Sequence, residues 1–255
     1  MEHWVISNGQ VGKYNTDIRP LYIYQRMRTK GNKIIYLPDH LKLINYGYEV
    51  LYGTPTPLTI EQIQRDCHTL LKQGGYSENA THIVELRYDS CNNYSLRVVE
   101  TSLYKSFSVR AVRPKAHLCN IANLELNLPT SVAITANEMF CNMARRYNCD
   151  IPLCIDECGM VASIDGASPI IVKGKEIIFS RTVESVELDM VIQAMAEQNK
   201  YQITTSQIAL EELINADELL YIDYRGVTAV GSFSESTYSD NIAHAIIRAL
   251  NYKVQ

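Results

Sequence analysis

The chain has 255 residues, 46% of them hydrophobic and 20% charged, with a formal net charge of −4. That is an ordinary globular balance for one large domain or two of common size, without the basic excess that nucleic acid or an anionic membrane surface would require. No apolar run approaches the roughly 18 residues of a spanning helix, and Met1-Glu2-His3-Trp4 lacks the basic-then-apolar start of a secretory signal, so a reducing cytoplasm is the expected setting.

The seven cysteines are an odd count, and Cys141, Cys149, Cys154 and Cys158 fall close together. Their spacings are wider and less regular than the paired Cys-x2-Cys of a metal site, so no metal is expected. Cys154 reads as a small core residue of a strand.

In chain order, Trp4 to Ser7 is a strand and Asn8-Gly9 a turn. Leu21 to Thr29 alternates and, after Lys30-Gly31-Asn32, pairs with Ile34 to Leu37. Pro38-Asp39 opens a helix reaching Tyr52, with Leu41, Ile44, Tyr48 and Leu51 on one face. Thr59 caps a second helix with Ile60, Ile63, Cys67, Leu70 and Leu71 as its stripe, ended by Gly74-Gly75. His82 to Tyr88, Tyr94 to Glu100 and Ser106 to Val112 are predicted strands. Residues 1–113 thus read as an α+β domain. Residues 114–127 have no clear period and read as a linker.

Residues 128–255 form the second expected domain. Thr130-Ser131 caps a helix that turns Val132, Ile134, Met139, Met143 and Ala144 inward and ends near Tyr147-Asn148. Strands follow at Pro152 to Ile155, Met160 to Ile164, Pro169 to Val172 and Glu176 to Phe179, with turns at Asp156 to Gly159 and Lys173-Gly174-Lys175. A helix at Glu184 to Lys200, a strand at Tyr201 to Thr204 and a short helix at Ala209 to Ala216 come next. Strands at Leu219 to Asp223 and Gly226 to Gly231 precede a terminal helix at Asp240 to Tyr252. No internal repeat is visible.

Three segments together resemble the fold-type IV pyridoxal-phosphate (PLP) enzymes: branched-chain aminotransferases, D-amino acid aminotransferases and aminodeoxychorismate lyases. The first is Tyr24-Gln25, the Lys30-Gly31-Asn32 hairpin and the helix start His40-Leu41-Lys42-Leu43. The second is the Asp156 to Gly159 turn with Val161. The third, and most specific, is Glu211-Glu212-Leu213-Ile214-Asn215-Ala216-Asp217-Glu218 followed by Gly226-Val227-Thr228-Ala229-Val230. The resemblance implies an α/β fold of two domains with a cleft between them, a homodimer with both subunits contributing to the site, and PLP as the family's cofactor.

The family's functional positions are changed. Its Schiff-base lysine, which also shuttles the proton, falls at Thr130, and neither Pro129 nor Ser131 is a lysine; Lys115 and Lys173 are the nearest. The phosphate-gripping arginine falls at Leu43, with Lys42 beside it but turned about 100° away on the helix. The glutamate on the pyridine nitrogen falls at Ser163. The helix start that takes the phosphate on its backbone N–H groups reads Ser185-Val186-Glu187, and the late phosphate-binding threonine falls at Asp223. The aligned site loses its cation and gains two carboxylates, Glu187 and Asp223. One carboxylate about 4 Å from a phosphate costs on the order of 4 kcal/mol at an effective dielectric near 20, so no PLP binding of the family type is expected, and no catalytic residue is assigned.

Several residues carry two readings. His40 matches a family position, or simply packs at a helix start. Arg26 and Arg28 alternate on one strand face and could fork onto a carboxylate ligand, or form a solvated sheet face. Glu187 could be a dipole-stabilising acid. Asp223 and Arg225 could line a cleft or belong to a charged loop. Cys67 and His68 are helix neighbours that point apart, which argues against a nucleophile–base pair. The expected function is a non-catalytic class IV homologue, a homodimer with a small-molecule ligand in its cleft and no nucleic-acid or membrane partner. A divergent active aminotransferase or lyase, and a cofactor-independent enzyme in a rebuilt cleft, are the alternatives.

Overall fold

A computed structural model describes residues 4–13, 18–102, 106–121 and 127–254. It divides into two compact units: residues 1–106 with Pro129–Ser131, and residues 107–128 with 132–255.

The first unit is a sheet with two helices on one face. Its strands are β1 (Val5–Ser7), β2 (Gln10–Gly12), β3 (Tyr22–Lys30), β4 (Lys33–Ile34), β5 (Thr81–Asp89) and β6 (Tyr94–Ser102), in the order β2-β1-β6-β5-β3-β4 and antiparallel throughout. Asn8 and Gly9 hold φ of 49° and 78°, the pair of positive values that a tight hairpin turn demands. Helix α1 (Leu37–Tyr52) starts two residues before the predicted Asp39, because Tyr36 turns left-handed and Pro38 suits the first helical turn; the predicted strand there shrinks to β4. Helix α2 (Ile60–Gln73) is capped by Thr59, whose Oγ1 accepts from the Gln62 N–H at 3.2 Å. Leu41, Ile44 and Tyr48 of α1 and Ile63, Cys67, Leu70 and Leu71 of α2 close over Ile23, Met27, Val84, Leu86, Tyr88 and Leu96. Leu51 and Ile60, expected inward, are exposed at helix ends.

In the second unit two sheets share one core. The strands are β7 (Lys115–Asn120), β8 (Ile151–Ile155), β9 (Val161–Ile164), β10 (Pro169–Lys173), β11 (Glu176–Phe179), β12 (Gln202–Thr205), β13 (Glu218–Asp223), β14 (Gly226–Ala229), β15 (Ser232–Phe233) and β16 (Ser236–Thr237). They order as β12-β11-β10-β13-β14 and β16-β15-β7-β8-β9. Ala116, Leu153, Val161 and Ile164 from one sheet meet Ile171, Ile178, Leu219 and Tyr221 from the other. The helices are α3 (Ser131–Arg146), α4 (Val186–Ala196), α5 (Leu210–Ile214) and α6 (Asn241–Val254).

Three predictions fail here for physical reasons. Residues 115–120, read as linker, are β7, a strand paired on both sides in parallel to β8 and β15, partners more than 30 and 110 residues away that no local signal announces; residues 122–126 lie outside the described residues. Ser106 to Val112 is not a strand but a stretch touching β14 through one bridge, Val109 to Val227. There Gly226, at φ +127°, is required: a Cβ would stand 2.2 Å from the Ser108 carbonyl oxygen. The buried residues of α3 are Ala136, Phe140 and the expected Ala144, with Ala136 and Phe140 packed on Cys119, Ile121 and Cys154, whereas Val132, Met139 and Met143, also expected inward, are exposed. Two alanines flank Phe140 at i, i+4 and i+8, so the helix sits close around that one ring, and this face rather than the methionines sets its rotation.

The Ala216-Asp217-Glu218 element has a structural role. Asp217 accepts from the Gly174 N–H at 2.6 Å, fixing the β10–β11 turn. The buried Glu218 carboxylate accepts from the Ile242 N–H and the Ser239 hydroxyl, capping α6.

Candidate functional sites in each unit

On the open face of the first unit's sheet, strand register puts Arg26 opposite Glu85 and Glu85 opposite Arg97. Arg87 lies two residues further along β5 on the same face. Glu85 is fully buried, and its carboxylate takes Arg26 Nε at 2.8 Å, Arg87 Nε at 2.7 Å and Arg97 Nη2 at 2.7 Å. Burial opposes its charge, but the hydrogen bond from Arg26 and the charges of all three arginines outweigh it and lower its pKa. Arg26 lies against the Tyr24 ring at 5.5 Å and Arg87 against Tyr22 at 4.8 Å. Arg28 is buried and donates to the Ser106 carbonyl at 2.9 Å. The predicted pair Arg26 and Arg28 is thus neither a solvated face nor a simple fork. Its organiser, Glu85, was missed, although Glu85-x-Arg87 in a strand is a readable same-face pair.

His40 is buried against Gln25, its Nδ1 donating to Oε1 at 2.8 Å, the tautomer that this acceptor selects. Burial lowers its pKa from 6.5 to about 4 against the opposing charge of Asp39. This is the packing reading. Leu43 is half-buried on α1, and Lys42 is exposed and pairs with Asp39 at 3.1 Å. Thr130 makes a bridge with Ile23; its neighbours take part too, Pro129 O accepting from the Tyr24 N–H at 2.9 Å and Ser131 Oγ from the Tyr22 N–H at 3.2 Å. Of the two lysines nearest that position, Lys115 is exposed and Lys173 Nζ pairs with Glu212 at 2.9 Å.

In the second unit, Ser163 is buried on β9 opposite Cys154, whose thiol burial pushes up to about 12. Ser185 caps α4: its Oγ accepts from the Leu188 N–H at 3.3 Å and donates to Glu187 Oε2 at 3.1 Å. Val186 and Glu187 are buried in that first turn, where an acid suits the helix dipole.

Asp223 is not the bare carboxylate expected from the sequence. It accepts from the Arg225 N–H at 2.7 Å, from Nε at 2.8 Å, and from Nη2. Arg225 also donates to Asp165 Oδ2 at 3.3 Å, and the Tyr221 hydroxyl donates to the same oxygen at 3.2 Å. Asp165 Oδ1 accepts from Asn137 Nδ2 at 3.3 Å. Burial disfavours the Arg225 charge, but the hydrogen bond and charge of Asp223 raise its pKa. Burial, then Asp165, raises that of the Tyr221 phenol. Asp165 and Tyr221 were also missed; the Asp165-Gly166 turn, with both residues at positive φ, was their one local signal. Among the described residues no three His, Cys, Asp or Glu side chains converge as metal ligands.

The family description amino-transferase class IV matches residues 23–232. The chain belongs to the class IV aminotransferase family. Its fold is that of the fold-type IV structures. A branched-chain aminotransferase from Thermoproteus uzoniensis, determined with norvaline, superposes with a TM-score of 0.81 at 14% identity over 98% of this chain and 94% of that one. The Escherichia coli branched-chain aminotransferase gives 0.79 at 11% over 96% and 92%. A fold IV transaminase from Curtobacterium pusillum gives 0.80 at 10% over 99% and 98%. Such low identities carry the fold and no more. No curated protein matches the sequence.

Proposed function

We propose that the protein is a non-catalytic class IV aminotransferase homologue that does not hold PLP in the family's manner. The observation that carries this reading is Thr130 at the position assigned to the Schiff-base lysine, in a segment stitched to β3 by its own backbone. A threonine cannot form the imine or move its proton. The residues aligned with the phosphate cradle support the same reading. Asp223 is held by Arg225 rather than presented as a donor, and the first turn of α4 is served by Ser185 with Glu187 beside it. These residues do not fit an anionic phosphate. We further take the protein to be a homodimer, as family resemblance suggests.

The test is an absorbance titration of the purified protein with PLP, followed by borohydride reduction and intact mass. The expected result is no protonated-aldimine band and no mass gain. A band with a cofactor-sized adduct would overturn the proposal and call for transaminase and lyase assays, with Lys115→Ala and Lys173→Ala to locate the base.

A further inference from the structure

The chain holds a single Asn-Gly pair, Asn8-Gly9, and it forms the turn between β1 and β2. Such a pair is prone to lose its side-chain amide, because glycine has no Cβ to shield its backbone nitrogen. That nitrogen attacks the asparagine Cγ and a new C–N bond closes a five-membered succinimide. The bond from Cγ to the side-chain nitrogen breaks, and ammonia leaves. Water then opens the ring on one side to aspartate, or on the other to isoaspartate, in which the chain runs through the side-chain carboxyl.

The closed hairpin holds Asn8 against this reaction. Its N–H donates to Tyr94 O at 3.0 Å, its Oδ1 accepts from the Tyr94 N–H at 2.8 Å, and its Nδ2 donates to Asn93 Oδ1 at 3.1 Å. These partners lie at the start of β6. In the strand order β2-β1-β6, that is one side of Asn8, whereas Gly9 turns the chain to the other side, towards β2. While the bonds last, Cγ is held away from its nucleophile. The hold is shallow, because Asn8 and Gly9 are exposed and β2 is an edge strand of three residues, with Gln10 and Val11 exposed. A hairpin of this kind opens locally at far less cost than global unfolding.

The products cannot reclose in the same way. Aspartate has no N–H for Asn93 Oδ1. It also adds a negative charge one residue away from the buried Asp89, which holds the Asn93 N–H at 3.0 Å and Nδ2 at 3.3 Å. Isoaspartate adds a backbone atom to a two-residue loop, which then cannot keep Ser7 opposite Gln10.

We propose that Asn8 is a conformationally gated deamidation site. The closed hairpin protects it, and each opening exposes it to an irreversible change that loosens β1 from β6. Ile6, fully buried in the first unit's core, rides on β1, so conversion lowers the stability of that unit.

The test incubates the full chain at one mildly alkaline pH, native and unfolded in urea, and maps peptides with fragmentation that separates aspartate from isoaspartate. Asn8 should be the first asparagine converted in the native chain, at least about tenfold more slowly than in urea. The Tyr94 N–H is released only when Asn8 lets go of it. Its hydrogen-exchange protection factor should therefore match the ratio of the two deamidation rates to within about threefold. Asn93→Ala removes one anchor and should raise the native rate several-fold, with the urea rate and circular dichroism unchanged. Equal native and urea rates, or another asparagine converting first, would overturn the proposal. A protection factor about tenfold or more away from the rate ratio would show that this hairpin is not the gate. An Asn93→Ala chain that folds and converts at the wild-type rate would refute the anchor.

Discussion

The two polar clusters of this protein are built with opposite signs. In the first unit one carboxylate, Glu85, gathers three guanidiniums. In the second unit one guanidinium, Arg225, gathers two carboxylates, Asp165 and Asp223. Glu85 is fully buried while its arginines remain partly exposed, so the minority charge is the one removed from water. In the second unit the arrangement differs: the hub Arg225, at 27%, keeps more exposure than Asp165 at 14% or Asp223 at 16%. A single ion can be desolvated at tolerable cost when several opposite charges converge on it, whereas its partners shed their excess field into solvent. Losing the hub should therefore cost more than losing a spoke, and most where the hub is most deeply buried.

The largest effect is expected at Glu85. Glu85→Gln leaves three guanidiniums around a neutral amide and should destabilise the first unit by about 4 kcal/mol in urea denaturation, whereas Arg97→Lys should cost under about 1 kcal/mol. Equal losses would break the hub-and-spoke picture. Next is the pH dependence contributed by His40. Its folded pKa of about 4 lies below its ordinary 6.5, so the unfolded chain binds the extra proton between those values. Stability should fall as pH drops from 6.5 to 4, by about 3 kcal/mol from this group. His40→Gln should flatten the part of the slope above pH 5, where carboxylates contribute least; an unchanged slope would mean that His40 is not buried neutral. Arg225→Met should destabilise the second unit by about 2 kcal/mol, less than Glu85→Gln does the first, because Asp165 and Asp223 keep some water. Tyr221→Phe removes one hydrogen bond to Asp165 and should cost about 1 kcal/mol, less than Arg225→Met does.

The two clusters also differ in how far they could be read in advance. Arg26 and Arg28 were marked by strand alternation, Asp223 by alignment with the family and Arg225 by its place beside it at a strand end. Glu85 and Asp165 were not marked, because each gains its meaning from strands or turns distant in sequence: Arg26 lies 59 residues from Glu85, and Arg225 lies 60 from Asp165. The expectation of a bare carboxylate at Asp223 failed for a related reason. Asp223 was counted as a lone charge while the guanidinium two residues on folds back onto it.

What the sequence determined by itself is local and periodic: the Asn8-Gly9 turn, the Thr59 cap, the stripe of α2, the Asp156 to Gly159 turn, and the family's order of elements. Each depends on residues within a few positions, so short-range sterics and hydrogen bonding decide it. Tertiary structure alone decided the rest. It made a strand of residues 115–120 by pairing them on both sides. It rotated α3 onto Ala136, Phe140 and Ala144, leaving its methionines outward, and it chose which arginines share Glu85. These choices turn on close packing and on the cost of burying a charge, which are settled only when distant segments meet.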